Sequence, residues 1–145
     1  MRAVIQRVKE ASCEVQHKVC SKIEKGILIF VGIEKEDDVK DAKYLAEKCT
    51  NLRIFEDSTG KMNLSLKEVG GAVLVISQFT LVANCKKGRR PSFDNALGGE
   101  AARSLYNAFV NFLKKEVHVE EGVFGERMLI SLKNDGPATF IINSK

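Results

Sequence analysis

Two short stretches of this 145-residue sequence carry groups that can do chemistry. The first is Ser77-Gln78-Phe79-Thr80-Leu81, which continues the apolar run Val73-Leu74-Val75-Ile76. A buried hydroxyl or amide needs a hydrogen-bond partner, so a central strand does not carry Ser, Gln and Thr without cost. Strict alternation sets Gln78 and Thr80 on one face and Ser77 and Phe79 on the other. This polar interruption of an apolar strand sets the stretch apart as unusual. The plain alternative is a strand that turns polar as it leaves the core. The second stretch is Asn134-Asp135-Gly136-Pro137-Ala138-Thr139, which holds one of only two prolines. Gly136 relieves the steric restriction on the residue before a proline, and about 5–6% of X-Pro bonds in folded proteins are cis. The stretch reads either as a specialised rigid turn or as an ordinary hairpin turn between two strands.

Other chemistries lack their residue patterns. The two histidines, His17 and His118, stand in no HExxH and no Cys/His ligand spacing, so no metal site is expected. No GxSxG, Walker loop or GxGxxG is present, which argues against a hydrolase triad and a nucleotide cradle, and no cofactor is expected. Cys13, Cys20, Cys49 and Cys85 form no CxxC pair and read as small core hydrophobes in a reducing, cytoplasmic setting. Gly98-Gly99 offers helix N–H groups to an anion or is simply a flexible start of a helix. Arg7 stands in phase with the apolar residues Ala3 and Ile5. Either its guanidinium snorkels to water at a strand end, or it serves an acceptor near a site.

The elements that must position these groups follow from periodicity. Arg2–Ala11 alternates as a strand, with a turn near Ser12–Glu14 and a second strand reaching Ile23. The run Gly26–Ile33 suits a strand buried on both faces. Asp37 or Asp38 caps a helix whose apolar stripe is Val39, Ala42, Ala46 and Cys49, widened by Leu45 and Leu52. Asp57-Ser58-Thr59-Gly60 is a turn cluster. Ala72–Val82 is a central strand after Gly70-Gly71, and Asn84–Ser92 is a basic loop. Glu100–Lys115 is a second helix with Leu105, Phe109 and Phe112 on one face and Leu113 beside them. Val123–Leu132 and Ala138–Ile142 are the last strands. The pattern predicts an α/β (α+β-like) fold, a mixed sheet or open β-barrel-like sandwich backed by two helices.

Length and charge agree with one soluble domain over residues 1–145. No apolar stretch approaches the ~20 residues of a membrane helix, and the alternating start is no secretory signal. The net charge is +4, and Lys86, Lys87, Arg89 and Arg90 account for it, since without them 19 basic residues face 19 acidic ones. A loop carrying this charge can contact phosphates or simply stay solvated.

SQFTL, the basic loop ending Gly88-Arg89-Arg90-Pro91-Ser92-Phe93, and NDGPAT near the C-terminus together resemble the D-aminoacyl-tRNA deacylases. The likeness covers essentially the whole chain, including MRAVIQRV at the start and Gly122-Val123-Phe124-Gly125. Ala138 departs conservatively from the valine frequent in that family.

The resemblance implies hydrolysis of the ester of D-aminoacyl-tRNA, a cytoplasmic homodimer, and an active site at the subunit interface. It implies that Gly136-Pro137 adopts a cis peptide, reaches into the partner's pocket and accepts from the substrate's α-amino group. Arg7 would fix that turn. Ser77, Gln78, Phe79 and Thr80 would line the pocket, and Lys86, Lys87, Arg89 and Arg90 would meet tRNA phosphates. Such a backbone-built pocket rejects an L-residue by its Cβ without reading the side chain. Glycine has no Cβ, so glycyl-tRNA would be cut too. Two routes to cleavage stay open, with Thr80 as nucleophile or water guide, or with water attack assisted by backbone N–H groups near Gln78-Phe79 and the tRNA 2′-hydroxyl. The absence of an evident base for Thr80 favours the second.

Overall fold

The computed structural model describes residues 1–145. A long strand, β1 (Arg2–Val15), organises the molecule. Its first half pairs antiparallel with β3 (Gly26–Gly32), and its second half pairs along the same edge with β2 (Lys18–Ile23). Its other edge pairs along its length with β8 (Leu129–Asn143). β6 (Ala72–Ser77) lies parallel to β3, and β7 (Val119–Glu121) lies parallel to β6. The result is a mixed, barrel-like six-stranded sheet of order β2-β1-β3-β6-β7 with β8 beyond β1. A small hairpin, β4 (Phe55–Glu56) with β5 (Met62–Leu64), stands apart, closed by the expected turn at Asp57–Gly60.

The apolar run at β3 is covered on both faces, as its composition requires. Ile27, Ile29 and Val31 join Ala3 and Ile5 of β1 and Val73 and Val75 of β6 in the larger core, beneath two helices. Leu28 faces the opposite way, with Val8, Ala11, Cys13, Ile23, Leu74 and Ile76, into the smaller core enclosed by the curled sheet. Parallel pairing brings the strands close at their start, where a Cβ on Gly26 would lie 1.9 Å from the Ala72 carbonyl oxygen.

The helices α1 (Val39–Asn51) and α2 (Gly99–Lys114) pack on the larger core. Asp38 caps α1 by accepting from the Lys40 and Asp41 amides, and Asp41 returns the bond to the Asp38 amide. That reciprocal box satisfies N–H groups that a helix start leaves without partners.

Several expected boundaries move. β1 does not turn at Ser12–Glu14 but runs to Val15. Its two-residue turn is Gln16-His17, both at positive φ (49° and 64°) without the Gly, Asn or Asp that usually marks such a turn. On α1, Val39 is exposed, and Ala42, Leu45, Ala46 and Cys49 form the buried stripe. On α2 the buried face is Ala102, Tyr106, Phe109, Val110 and Leu113, with Leu105 and Phe112 at its margins. Tyr106 can occupy the centre because its hydroxyl donates to the Val75 carbonyl. Val123–Arg127 is a turn rather than strand, since the pairing to β6 falls earlier, at Val119–Glu121. The last two expected strands are one strand, β8, with Asp135–Ala138 bulging out within it.

Candidate active site

The expected strand through Val82 stops at Ser77, and Phe79–Val82 folds into a 3₁₀ turn. The Gln78 amide still donates to the Val31 carbonyl at 2.8 Å, extending the β3 ladder by one residue. The chain then folds over Gly32. A Cβ on that glycine would lie 3.0 Å from the Gln78 carbonyl oxygen and 3.1 Å from both Leu81 Cβ and Val82 Cγ1. The far end of the turn is tied by Arg2 Nη1, which donates to the Leu81 carbonyl at 2.9 Å.

Gln78 and Thr80 meet, but through the turn rather than through strand alternation. Gln78 Nε2 donates to Thr80 Oγ1, and no titratable side chain is bonded to that hydroxyl. A side-chain amide cannot remove a proton, so the arrangement holds Thr80 without activating it. Ser77 and Gln78 are half-buried, whereas Phe79 and Thr80 are exposed. Phe79 and Thr80 also lead the helical turn, a position whose amides have no partner inside the turn.

Ser77, Gln78 and Phe79 line an open cleft of about 540 Å³, and Thr80 stands outside it. Gly98 and Gly99 at the start of α2 form another wall, where Gly98 caps the helix without a side-chain bond. Phe124 and Met128 close the far side. Sequence reasoning passed over these two, although the Gly122–Gly125 segment marked their neighbourhood.

Arg7 and Gly136-Pro137 do not line that cleft. They form a second constellation. Gln6 pairs with Thr139 and Val8 with Asn134, so the four residues Asp135–Ala138 stand opposite Arg7 alone. The Gly136–Pro137 peptide is cis. Arg7 is only 4% exposed, so its guanidinium does not snorkel to water. Arg7 Nε donates to the Asp135 carbonyl at 2.9 Å and stands 3.4 Å from the Asp135 carboxylate, while Nη1 donates to the Ile54 carbonyl. From the other strand, Asn134 Nδ2 donates to the Arg7 carbonyl at 2.9 Å and to the Ala138 carbonyl at 3.4 Å. The root of the bulge is thus held from both strands, and Gly136 and Pro137 remain exposed at its tip.

Lys86, Lys87, Arg89 and Arg90 are exposed on the loop that follows the 3₁₀ turn, and none is paired with a carboxylate. Asn84 and Ser92 exchange backbone bonds of 2.8 and 3.0 Å and pin the loop's two ends. Phe93 follows that pin, and its ring meets the Phe79 ring edge-on, with centroids 5.0 Å apart and an interplanar angle of 64°.

Two of the four thiols are buried and two are exposed. Burial pushes Cys49 up to about 12 and Cys13 up to about 11, while Cys20 and Cys85 are exposed. No group of three His, Cys, Asp or Glu side chains gathers as a metal site would require.

Comparison with known proteins gives the chain's family. A family model described as D-Tyr-tRNA(Tyr) deacylase matches residues 4–143. D-aminoacyl-tRNA deacylases from Clostridium novyi (strain NT) and Thermodesulfovibrio yellowstonii are 54% and 55% identical over 146 aligned residues. These alignments cover 100% of this chain and 98% and 100% of the relatives. A solved structure described as c-Myc DNA Unwinding Element Binding Protein is 37% identical, with a TM-score of 0.95 over 100% of this chain and 99% of that one. A probable eukaryotic D-amino acid tRNA deacylase, 16% identical, shares the fold at a TM-score of 0.85 over 98% of each chain. The chain belongs to the D-aminoacyl-tRNA deacylase family, hydrolases of the aminoacyl-tRNA ester bond.

Proposed function

We propose that residues 1–145 act as one deacylase domain that removes D-amino acids from tRNA, and glycine as well, through a site completed by a second copy of the chain. The observation that carries this reading is the separation of the two constellations. The cleft at Ser77-Gln78-Phe79 is open, and the clamped Gly136-Pro137 tip is exposed and does not line that cleft. A partner's tip, inserted into the cleft, supplies the rigid wall that the open side lacks.

The surface around β8 supports a partner. β8 is a 15-residue edge strand, and it exposes Leu129 (63%) and Ile141 (69%). Long apolar edges are normally covered.

In the assembled site, the Gly136 and Pro137 carbonyls accept from the substrate's ammonium, and Arg7 keeps them from drifting. The Cα hydrogen of a D-residue points to the wall and its side chain points out. An L-residue would have to place its Cβ where the wall stands, whereas glycine passes. Water attacks the ester carbon, and the Phe79 and Thr80 amides at the start of the 3₁₀ turn stabilise the developing oxyanion. The 2′-hydroxyl of the terminal adenosine assists the proton transfer, so Gln78 and Thr80 only shape the site. The four loop cations contact phosphates, and the substrate places the protein in the cytoplasm.

A second reading rests on the same basic loop, together with the solved relative whose name describes binding to a DNA unwinding element. In it the chain holds nucleic acid without chemistry. Release of radiolabelled amino acid from D-, L- and glycyl-tRNA separates the two. We expect release from the D and glycyl substrates and not from the L substrate. Tight binding without release would favour the binding module. Mixed dimers test the shared site. A cleft variant (Gln78→Leu) and a bulge variant (Arg7→Met), each weak alone, should regain activity when refolded together.

A further inference from the structure

We infer that the Phe79–Phe93 pair is a stacking platform for the unpaired nucleotides next to the terminal adenosine of tRNA, an inference that rests on the proposed function. Two large apolar rings stand exposed, Phe79 at 54% and Phe93 at 38%. Their edge-to-face contact leaves ring faces open to a third flat group. The rings carry no cation of the protein's own, since the lysines and arginines that stack on aromatic rings do so at Phe55, Tyr44, Phe124 and Phe112. The occupant must therefore bring its own flat, polarisable surface, and the surroundings specify its charge. Lys86, Lys87, Arg89 and Arg90 precede Phe93 on the same pinned loop, unpaired with any carboxylate. Flat bases on an anionic backbone combine both properties, and stacking on aromatic side chains is how single strands are held without sequence readout.

The position fits a short reach. Phe79 belongs to the cleft, so a base on this pair lies within a nucleotide or two of the ester. The platform is also preorganised. Ser92 is pinned to Asn84, the Ser92 hydroxyl donates to the Asp94 carboxylate at 2.7 Å, and the Ala96 amide donates to the Phe93 carbonyl at 2.9 Å. A ring presented on a fixed backbone loses little entropy on binding.

Phe93 is the residue to vary, because Phe79 is part of the proposed catalytic turn. Deacylation kinetics with D-aminoacyl-tRNA should show KM raised about tenfold in Phe93→Leu and Phe93→Ala, with kcat within twofold of wild type. Phe93→Tyr should stay near wild type. The slope of log KM against log salt should not change, since stacking releases no counterions. Affinity for uncharged tRNA should fall in parallel. With a tRNA trimmed of its unpaired 3′ nucleotides, wild type and Phe93→Leu should bind equally. Leucine keeps the apolar contact with Phe79 and so guards against simple misfolding. If Phe93→Leu matched wild type in KM, or if kcat fell while KM held, the ring would merely prop the turn and the platform would be refuted. Failure of the wild type to release any amino acid would instead sink the proposed function, and the tRNA affinities would still decide the platform.

Discussion

Arg7 Nε donates to the main-chain carbonyl of Asp135 at 2.9 Å, and the same guanidinium reaches the carbonyl of Ile54. One buried side chain thus ties the bulge of β8 to the segment after α1. Replacing it strands acceptors that have little access to water, at a cost of about 1–3 kcal/mol. Arg7→Met should lower the melting temperature by roughly 3–10 °C for a chain of this size. It should also cut kcat/KM for D-aminoacyl-tRNA by more than about tenfold. Arg7→Lys should recover little, because an ammonium lacks the planar fork that serves two carbonyls. Thermal denaturation alongside a deacylation assay checks both.

Thr80 Oγ1 accepts from Gln78 and has no base beside it. Thr80→Ala should therefore keep its rate within about a factor of three, whereas losing a true nucleophile costs orders of magnitude. A substrate ending in 2′-deoxyadenosine should be cut poorly by both proteins. An inactive Thr80→Ala with wild-type circular dichroism and melting would return the chemistry to the hydroxyl.

Gly32 lies beneath the 3₁₀ turn, where a methyl group would fit only if its neighbours gave way by a few tenths of an ångström. The nearest obstacle is backbone, which cannot swing aside as a flexible side chain can. Gly32→Ala should cost about 1–3 kcal/mol by overpacking. It should also shift the Phe79 and Thr80 amides enough to lower kcat well beyond the loss explained by unfolding. Activity normalised to folded fraction separates the two effects.

Acid stability should report on Asp41. Burial raises its carboxyl, but hydrogen bonds from the Asp38 amide, Ser144 and Lys145 outweigh this and hold it below its ordinary 3.8. A lowered folded-state pKa contributes stability that is complete above 3.8 and is lost as pH falls through the folded value. Asp41→Asn should therefore be less stable than wild type at neutral pH, with the gap closing in denaturant melts below pH 4. Lys145 has the opposite sign. Its hydrogen bond to Asp41 raises it above 10.5, so its contribution holds below that value and fades in strong alkali.

How far the sequence could be read depended on how loudly each physical constraint is written. The run at β3 and the capped stripe of α1 are strong periodic signals, and both elements appear close to where periodicity puts them. The 3₁₀ turn was hidden because Phe79-Thr80-Leu81 continues a strand-like pattern, and only the crowding over Gly32 in space breaks it. The bulge was hidden for the reverse reason. Asn-Asp-Gly-Pro is a strong local turn signal, but both flanks find ladder partners on β1, so tertiary pairing overrode the hairpin. Gln16-His17 turns without the usual residues, and the Val119–Glu121 strand is too short and polar to announce itself. For the site, the unusual residue types were visible in sequence. Their division into a cleft and a separate clamped tip was not, because no local pattern records which residues lie across a sheet.

Between Gln6 and Glu10, β1 advances four residues while β8 advances six, from Thr139 to Lys133. Two different cores meet β8 on either side of this stretch. Ile130 and Leu132 before the bulge pack on the smaller core, and Phe140 and Ile142 after it pack on the larger one. Side-chain direction repeats every two residues, so the register through the bulge sets which core each half of β8 serves. A single residue gained or lost there would turn one half away from its core. The length of the probe is therefore tied to the packing of the scaffold, and the two cannot change on separate terms.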